Sequence, residues 1–212
     1  MKYFYILLLY PYLLYAQSEI ISDSRFAVKA DLVYSTNNNF TGTGGDMGLS
    51  FFNSADIGFE YLKGSYNPEY HMESSATTLY AAYNFKIKNN CIRLLAGYAR
   101  NTVNYYSSTL NISGTVLGLV IYTKIYENES LILIPGAGFS IGFLSVSNGS
   151  KYTDYSKIEN PKSAGLDFNV VSKINNKFYL VIEPSLSKDL VNSDNSLIIG
   201  ISFGLLFRVP NQ

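Results

Sequence analysis

Acid–base or metal chemistry has few places to sit in this chain. His71 is its only histidine, and it lies between Glu69 and Glu73 in the polar stretch NPEYHMESS at 67–75. These residue types suit metal binding or proton transfer, but a catalytic histidine needs an oriented partner within hydrogen-bond reach. No second histidine is available, and one imidazole between two carboxylates reads more simply as loop decoration. A second set of ionisable residues is far more regular. Lys29, Asp31, Glu60, Lys86, Arg93, Lys124, Asp167, Lys173, Glu183 and Arg208 all fall on the same side of a period-two alternation. An isolated buried charge is prohibitive, so these groups must pair or stand in water. Lys29, Asp31, Glu60, Arg93, Asp167, Lys173 and Glu183 therefore form either a structural charge network or the lining of a narrow polar conduit. The network is the favoured reading, because Asp31 and Glu183, near mid-height in their segments, would seek basic partners. Arg93, Lys124, Lys173 and Arg208 fall toward one end, as solvated end charges or as a basic rim for an anionic partner.

The elements that position these residues are strands. In SLIIGISFGLLFR, 196–208, one face carries Leu197, Ile199, Ile201, Phe203, Leu205 and Phe207; the other carries mostly serine and glycine, with Arg208 at its end. A half-buried strand of a soluble sandwich turns bulky polar groups to water. This one pairs an unbroken apolar face with a small one, as a strand with lipid outside and a crowded lumen inside would. The same alternation recurs ten times. Phe26, Val28, Ala30, Leu32 and Tyr34 oppose Ala27, Lys29, Asp31 and Val33, and Leu131 to Phe143 opposes Gly136, Gly138, Ser140 and Gly142. Turn formers at 37–46, 67–75, 101–111, 147–163 and 188–195 predict longer loops, alternating with tight turns near 53–56, 88–90, 127–130 and 175–176. The pattern predicts an all-β, closed antiparallel up-and-down transmembrane β-barrel of ten strands, or eight if the hairpin at 47–62 is discarded. Closure is compulsory, because an open edge in lipid leaves backbone groups unpaired. Pro135 and Pro184 each remove a ladder donor, which predicts β-bulges. Tyr34, Tyr61, Tyr66, Tyr98, Tyr105, Tyr106 and Tyr126, near strand ends, suit an interfacial aromatic girdle. If the first and last strands close the barrel, Gly200 and Gly204 leave room for Asp31 and Glu183.

The start of the chain, MKYFYILLLYPYLLYAQ, reads as a secretory signal peptide cut after Ala16, leaving 17–212 as one barrel domain. Its apolar run falls short of the roughly 20 residues a spanning helix needs. Removing Lys2 leaves 15 basic against 16 acidic side chains, a balance with no electrostatic case for nucleic acid. The lone Cys91 excludes an intrachain disulfide.

The Ala16–Gln17 junction, IPGAGFSIGF at 134–143, VIEPSLS at 181–187 and the final alternating strand with Phe207 resemble the small outer-membrane β-barrel proteins of Gram-negative bacteria, in particular those common in Bacteroidetes. The resemblance spans the mature chain and implies residence in the outer membrane, with outer-membrane lipid as the constant partner and an extracellular ligand or surface partner reached through the outer loops. Many such barrels end on the terminal aromatic, whereas five residues follow Phe207 here. Barrel enzymes of this kind place histidine with Asp, Ser or Glu near the strand tops, and no such spacing occurs. The expected role is non-enzymatic, structural or in surface interaction, with no cofactor. A small channel, a hydrolase using His71 and a soluble lipocalin-like barrel stand as alternatives.

Overall fold

The structure is a computed structural model, which describes residues 24–37, 40–52, 54–66, 72–105, 108–147, 160–191 and 197–210. The strands are β1 Ser24–Thr36, β2 Phe40–Phe51, β3 Ala55–Tyr66, β4 Met72–Ile87, β5 Asn90–Tyr105, β6 Ser108–Thr123, β7 Tyr126–Glu127, β8 Leu131–Ser147, β9 Lys162–Lys173, β10 Phe178–Asp189 and β11 Leu197–Pro210. β7 is a two-residue hairpin arm on β8. The other ten strands pair antiparallel with their sequence neighbours, and β1 pairs β11 from Ser24↔Pro210 to Thr36↔Ile199. The chain is thus a closed ten-strand up-and-down barrel. The 47–62 segment belongs to a full hairpin of β2 and β3, which sets the eight-strand alternative aside.

Alternation sorts the side chains as the sequence predicts. Leu32, Leu79, Leu166, Ile199 and Leu205 are exposed on the outside, while Val33, Leu95, Val116, Val181 and Leu206 are buried inside among polar groups. A lipocalin-like soluble barrel requires the large apolar face inside. The opposite arrangement found here overturns that alternative.

Several expectations are corrected. The loop at 37–46 shrinks to 37–39: Asn37 Oδ1 accepts from the Phe40 amide at 2.8 Å, and the Asn37 amide donates to the Phe40 carbonyl. From Phe40 the glycine-rich run is strand, because Gly42 and Gly64 make room for the inward Phe40 ring. The loop at 101–111 is likewise mostly strand, carrying the buried inward residues Asn101 and Val103. Extended strands replace three of the predicted outer loops in part, so the longest connections are β8–β9, 148–161, and β10–β11, 190–196. Of the two prolines, Pro135 lies in a bulge-like irregularity and Pro184 does not. Register runs unbroken past Pro184, where the ladder with β9 skips two pairs, whereas at Pro135 the three residues 123–125 face only 134 and 135 as β8 passes from β6 to β7. A second register shift lies in β1–β11, between Ser24 and Phe26.

Candidate functional site

The interior is layered. Toward the short turns, Cys91, Val120, Tyr122, Ile132, Ile134, Val171, Tyr179, Val181 and Leu206 pack with Ala27 into one apolar cluster. Toward the long-loop end, Val33, Phe40, Leu62, Tyr66, Ala76 and Ile198 form a second, and Tyr80, Leu95, Ile112 and Val116 line the wall of β4 to β6 in a third. Charged groups lie between and beside these clusters, and each is positioned by a glycine or a cross-strand neighbour.

Lys29 is the hub of the first group. Its Nζ lies 2.6 Å from Asp31 Oδ2 and 2.6 Å from Glu183 Oε1, and Ser202 Oγ donates to Glu183 Oε2 at 3.0 Å. Asp31 stands directly across from Gly204, where a Cβ would overlap its carboxylate. The glycine is therefore what lets β1 and β11 meet with a carboxylate between them. In the second group, the Arg93 guanidinium donates to Asp56 Oδ2 at 2.7 Å, Asn84 Nδ2 donates to the same oxygen at 2.8 Å, and Arg93 lies 5.8 Å from the Tyr80 ring centre. The Tyr80 ring in turn occupies the space left by Gly58. In the third, Asp167 accepts from Asn169 at 3.2 Å and from Tyr122, both against Gly136.

Asp31, Asp46 and Glu60 stand abreast on β1, β2 and β3 and all face inward. With Asp56, Asp167, Glu183 and, at the long-loop end of β10, Asp189 they are the buried acids among the described residues; Lys29 and Arg93 are the buried bases. No group of three or more His, Cys, Asp or Glu among the described residues converges as metal ligands do.

Of the residues singled out in the sequence, the structure gathers Lys29, Asp31 and Glu183, places Glu60 in the adjacent row, and gives Asp167 and Arg93 partners of their own. Lys173 is not part of the interior: its Nζ is 3.5 Å from Glu127 Oε1 and donates to the Asn128 carbonyl at 3.1 Å, beyond the short-turn end. Lys124 holds the other Glu127 oxygen at 2.6 Å. Burial pushes the Glu127 carboxyl up, but the Lys124 hydrogen bond and the two ammonium charges outweigh it and hold the group below its ordinary range. Arg208 donates to the Asn176 carbonyl at 3.2 Å and lies over the Tyr179 ring. Arg93, expected at the rim, is 2 % exposed and interior. Lys86 is exposed at the end of β4.

Asp46 and Asp56 also face inward, although the sequence pattern puts the first in a loop and the second in a turn. Their signal was present, since each precedes an inward glycine by two residues, Gly48 and Gly58. Tyr66 is a correction to the girdle: it points inward and packs on Phe40 with ring centres 5.2 Å apart. Tyr34, Tyr61, Tyr98 and Tyr126 are outward and exposed. His71, Glu69, Tyr106, the Tyr105 side chain and the segment 1–16 lie outside the described residues. Glu73 is exposed and faces Lys63 at 3.9 Å.

Fold and interior together define a class: closed antiparallel barrels with an apolar exterior and a packed, charged interior. No family model matches the chain, and no curated protein matches it either. Solved structures do. The translocator domain of the autotransporter NalP from Neisseria meningitidis aligns at TM-score 0.57 and 9% identity, covering 87% of this chain and 88% of that one. The β domain of the Bordetella autotransporter BrkA aligns at TM-score 0.55 and 11% identity, covering 88% and 99%. At such identities the likeness is one of fold.

Proposed function

We propose that this protein is an integral outer-membrane β-barrel, exported after cleavage at Ala16, that performs no enzymatic reaction and acts as a structural element or surface-interaction module through its long-loop end. One observation carries this reading: a belt of exposed aliphatic and aromatic side chains surrounds an interior that is packed at both ends and buried through its middle. An exterior of this kind suits hydrocarbon rather than water, and the packed inward side chains speak against a conducting lumen. The tie to Bacteroidetes rests on the quoted sequence segments alone; the two structural neighbours come from Neisseria and Bordetella. The buried Lys29–Asp31–Glu183 group speaks against an open lumen here.

Planar bilayer recording on the refolded protein tests the reading. A flat trace is expected across voltages, and reproducible conductance steps would favour the channel alternative instead. Replacing His71 by Ala is expected to leave every hydrolase assay at its background value.

A further inference from the structure

We propose that the outer collar of β9 and β10 is a binding site for a phosphate-bearing membrane lipid, held by Lys162 and Lys188; this rests on the outer-membrane reading above. Both side chains are exposed and point outward at the long-loop ends of adjacent strands. Lys188 stands directly across from Ala164, and Lys162 is the next outward residue on the same strand, so the two ammonium groups are diagonal neighbours. Such positions lie roughly 7–8 Å apart, where like charges repel unless an anion sits between them. Neither lysine has a carboxylate within ion-pair distance among the described residues. Lys63 faces Glu73, and Lys124 and Lys173 share Glu127; what sets Lys162 and Lys188 apart from a cation such as Arg100 is that they are outward neighbours on paired strands.

The surroundings fit a lipid rather than a soluble anion. Ala164 is small and leaves a notch bounded by Phe139 across on β8, by the two lysines and by Leu166. Below it Leu166 and Leu186 stand side by side, with Ile199 next to Leu186, all exposed and aliphatic. A phosphate placed over Ala164 meets both ammonium groups, and its acyl chain continues down the Leu166–Leu186 column. Phosphate is the anion chosen because its oxygens can accept from two point donors at once, as lysine pairs require.

The test uses the full-length protein in nanodiscs of phosphatidylcholine doped with phosphatidic acid, with retained lipid counted by native mass spectrometry. Wild type should retain phosphatidic acid over phosphatidylcholine by on the order of tenfold at low salt, with the preference falling as salt rises. Lys162→Ala with Lys188→Ala should abolish it, Lys162→Arg with Lys188→Arg should keep it, and Arg100→Ala, on the far wall, should leave it unchanged. An equal preference in wild type and the double alanine variant, or no preference in wild type, overturns the site while leaving the barrel reading intact. Failure of the wild type to insert into any bilayer overturns both.

Discussion

At the scale of single residues, the interior is governed by who shares a counter-ion. Lys29 serves two carboxylates at once, and removing one member of a buried ionic group leaves uncompensated charge. Lys29→Met is therefore expected to destabilise the folded barrel by about 3–5 kcal/mol. The measurement is a urea transition followed by circular dichroism, since the chain has no tryptophan. Adding Glu183→Gln to Lys29→Met should recover part of the loss, because the two changes act on one contact; a Lys29→Met cost below about 1 kcal/mol would show that the group is not structural. Gly204→Ala asks a steric question of the same place. The new methyl overlaps the Asp31 carboxylate, and a cost of about 1–3 kcal/mol is expected, relieved when Asp31 is also shortened to Ala. Much of this was legible beforehand. Asp31 and Glu183 read as mid-height acids seeking a base, and Gly204 as the space for one of them. Asp46 and Asp56 were not read, because glycine, asparagine and aspartate signal a turn in a soluble protein yet fill lumen positions here.

At the scale of elements, strand faces were readable and strand ends were not. Period-two alternation fixes which side a residue takes wherever one face is apolar. That criterion goes silent once a strand rises beyond the apolar belt, where both faces become polar. β5 and β6 show the effect: their outer ends carry Thr102 and Asn111, hydrogen-bonded to each other at 2.9 Å on the outer face, and read as loop. At the opposite end, β7 and its turn are held by side chains rather than by packing. Asn128 Oδ1 accepts from the Ser130 and Leu131 amides, and Glu127 joins Lys124 to Lys173. Because the folded state depresses the Glu127 carboxyl from its ordinary value of 4.5, its contribution is present above that pH and is lost as pH falls through the lower folded value. Wild type should thus exceed Glu127→Gln in denaturation midpoint at neutral pH, by under about 1 kcal/mol at so exposed a site. The two midpoints should converge in acid, and a gap that persists or widens there would rule the linkage out.

At the scale of the whole molecule, the apolar belt is uneven, and that has a measurable outcome. On β2 its outward residues are Met47, Leu49 and Phe51, and on β6 Leu117, Leu119 and Ile121, each followed by glycine, threonine or serine. On β8 the run goes from Leu131 to Phe143, and on β11 from Leu197 to Val209, with every outward position apolar. One outward residue in two, at roughly 3.4 Å per residue and a tilt near 40°, covers about 5 Å of height. The belt is then about 15 Å tall on β2 and β6 and about 35 Å on β8 and β11, around a bilayer core of about 30 Å. Polar groups such as Thr43 and Thr115 would be drawn into hydrocarbon at these two strands unless the bilayer thins. Folding into short-chain lipid should accordingly outpace folding into long-chain lipid, read as the protease-protected fraction over time. Thr43→Leu with Thr115→Leu raises the belt on β2 and β6 and should narrow the difference. Equal folding of wild type in both lipids would mean that the barrel meets the bilayer at a different height from the one its exposed side chains describe.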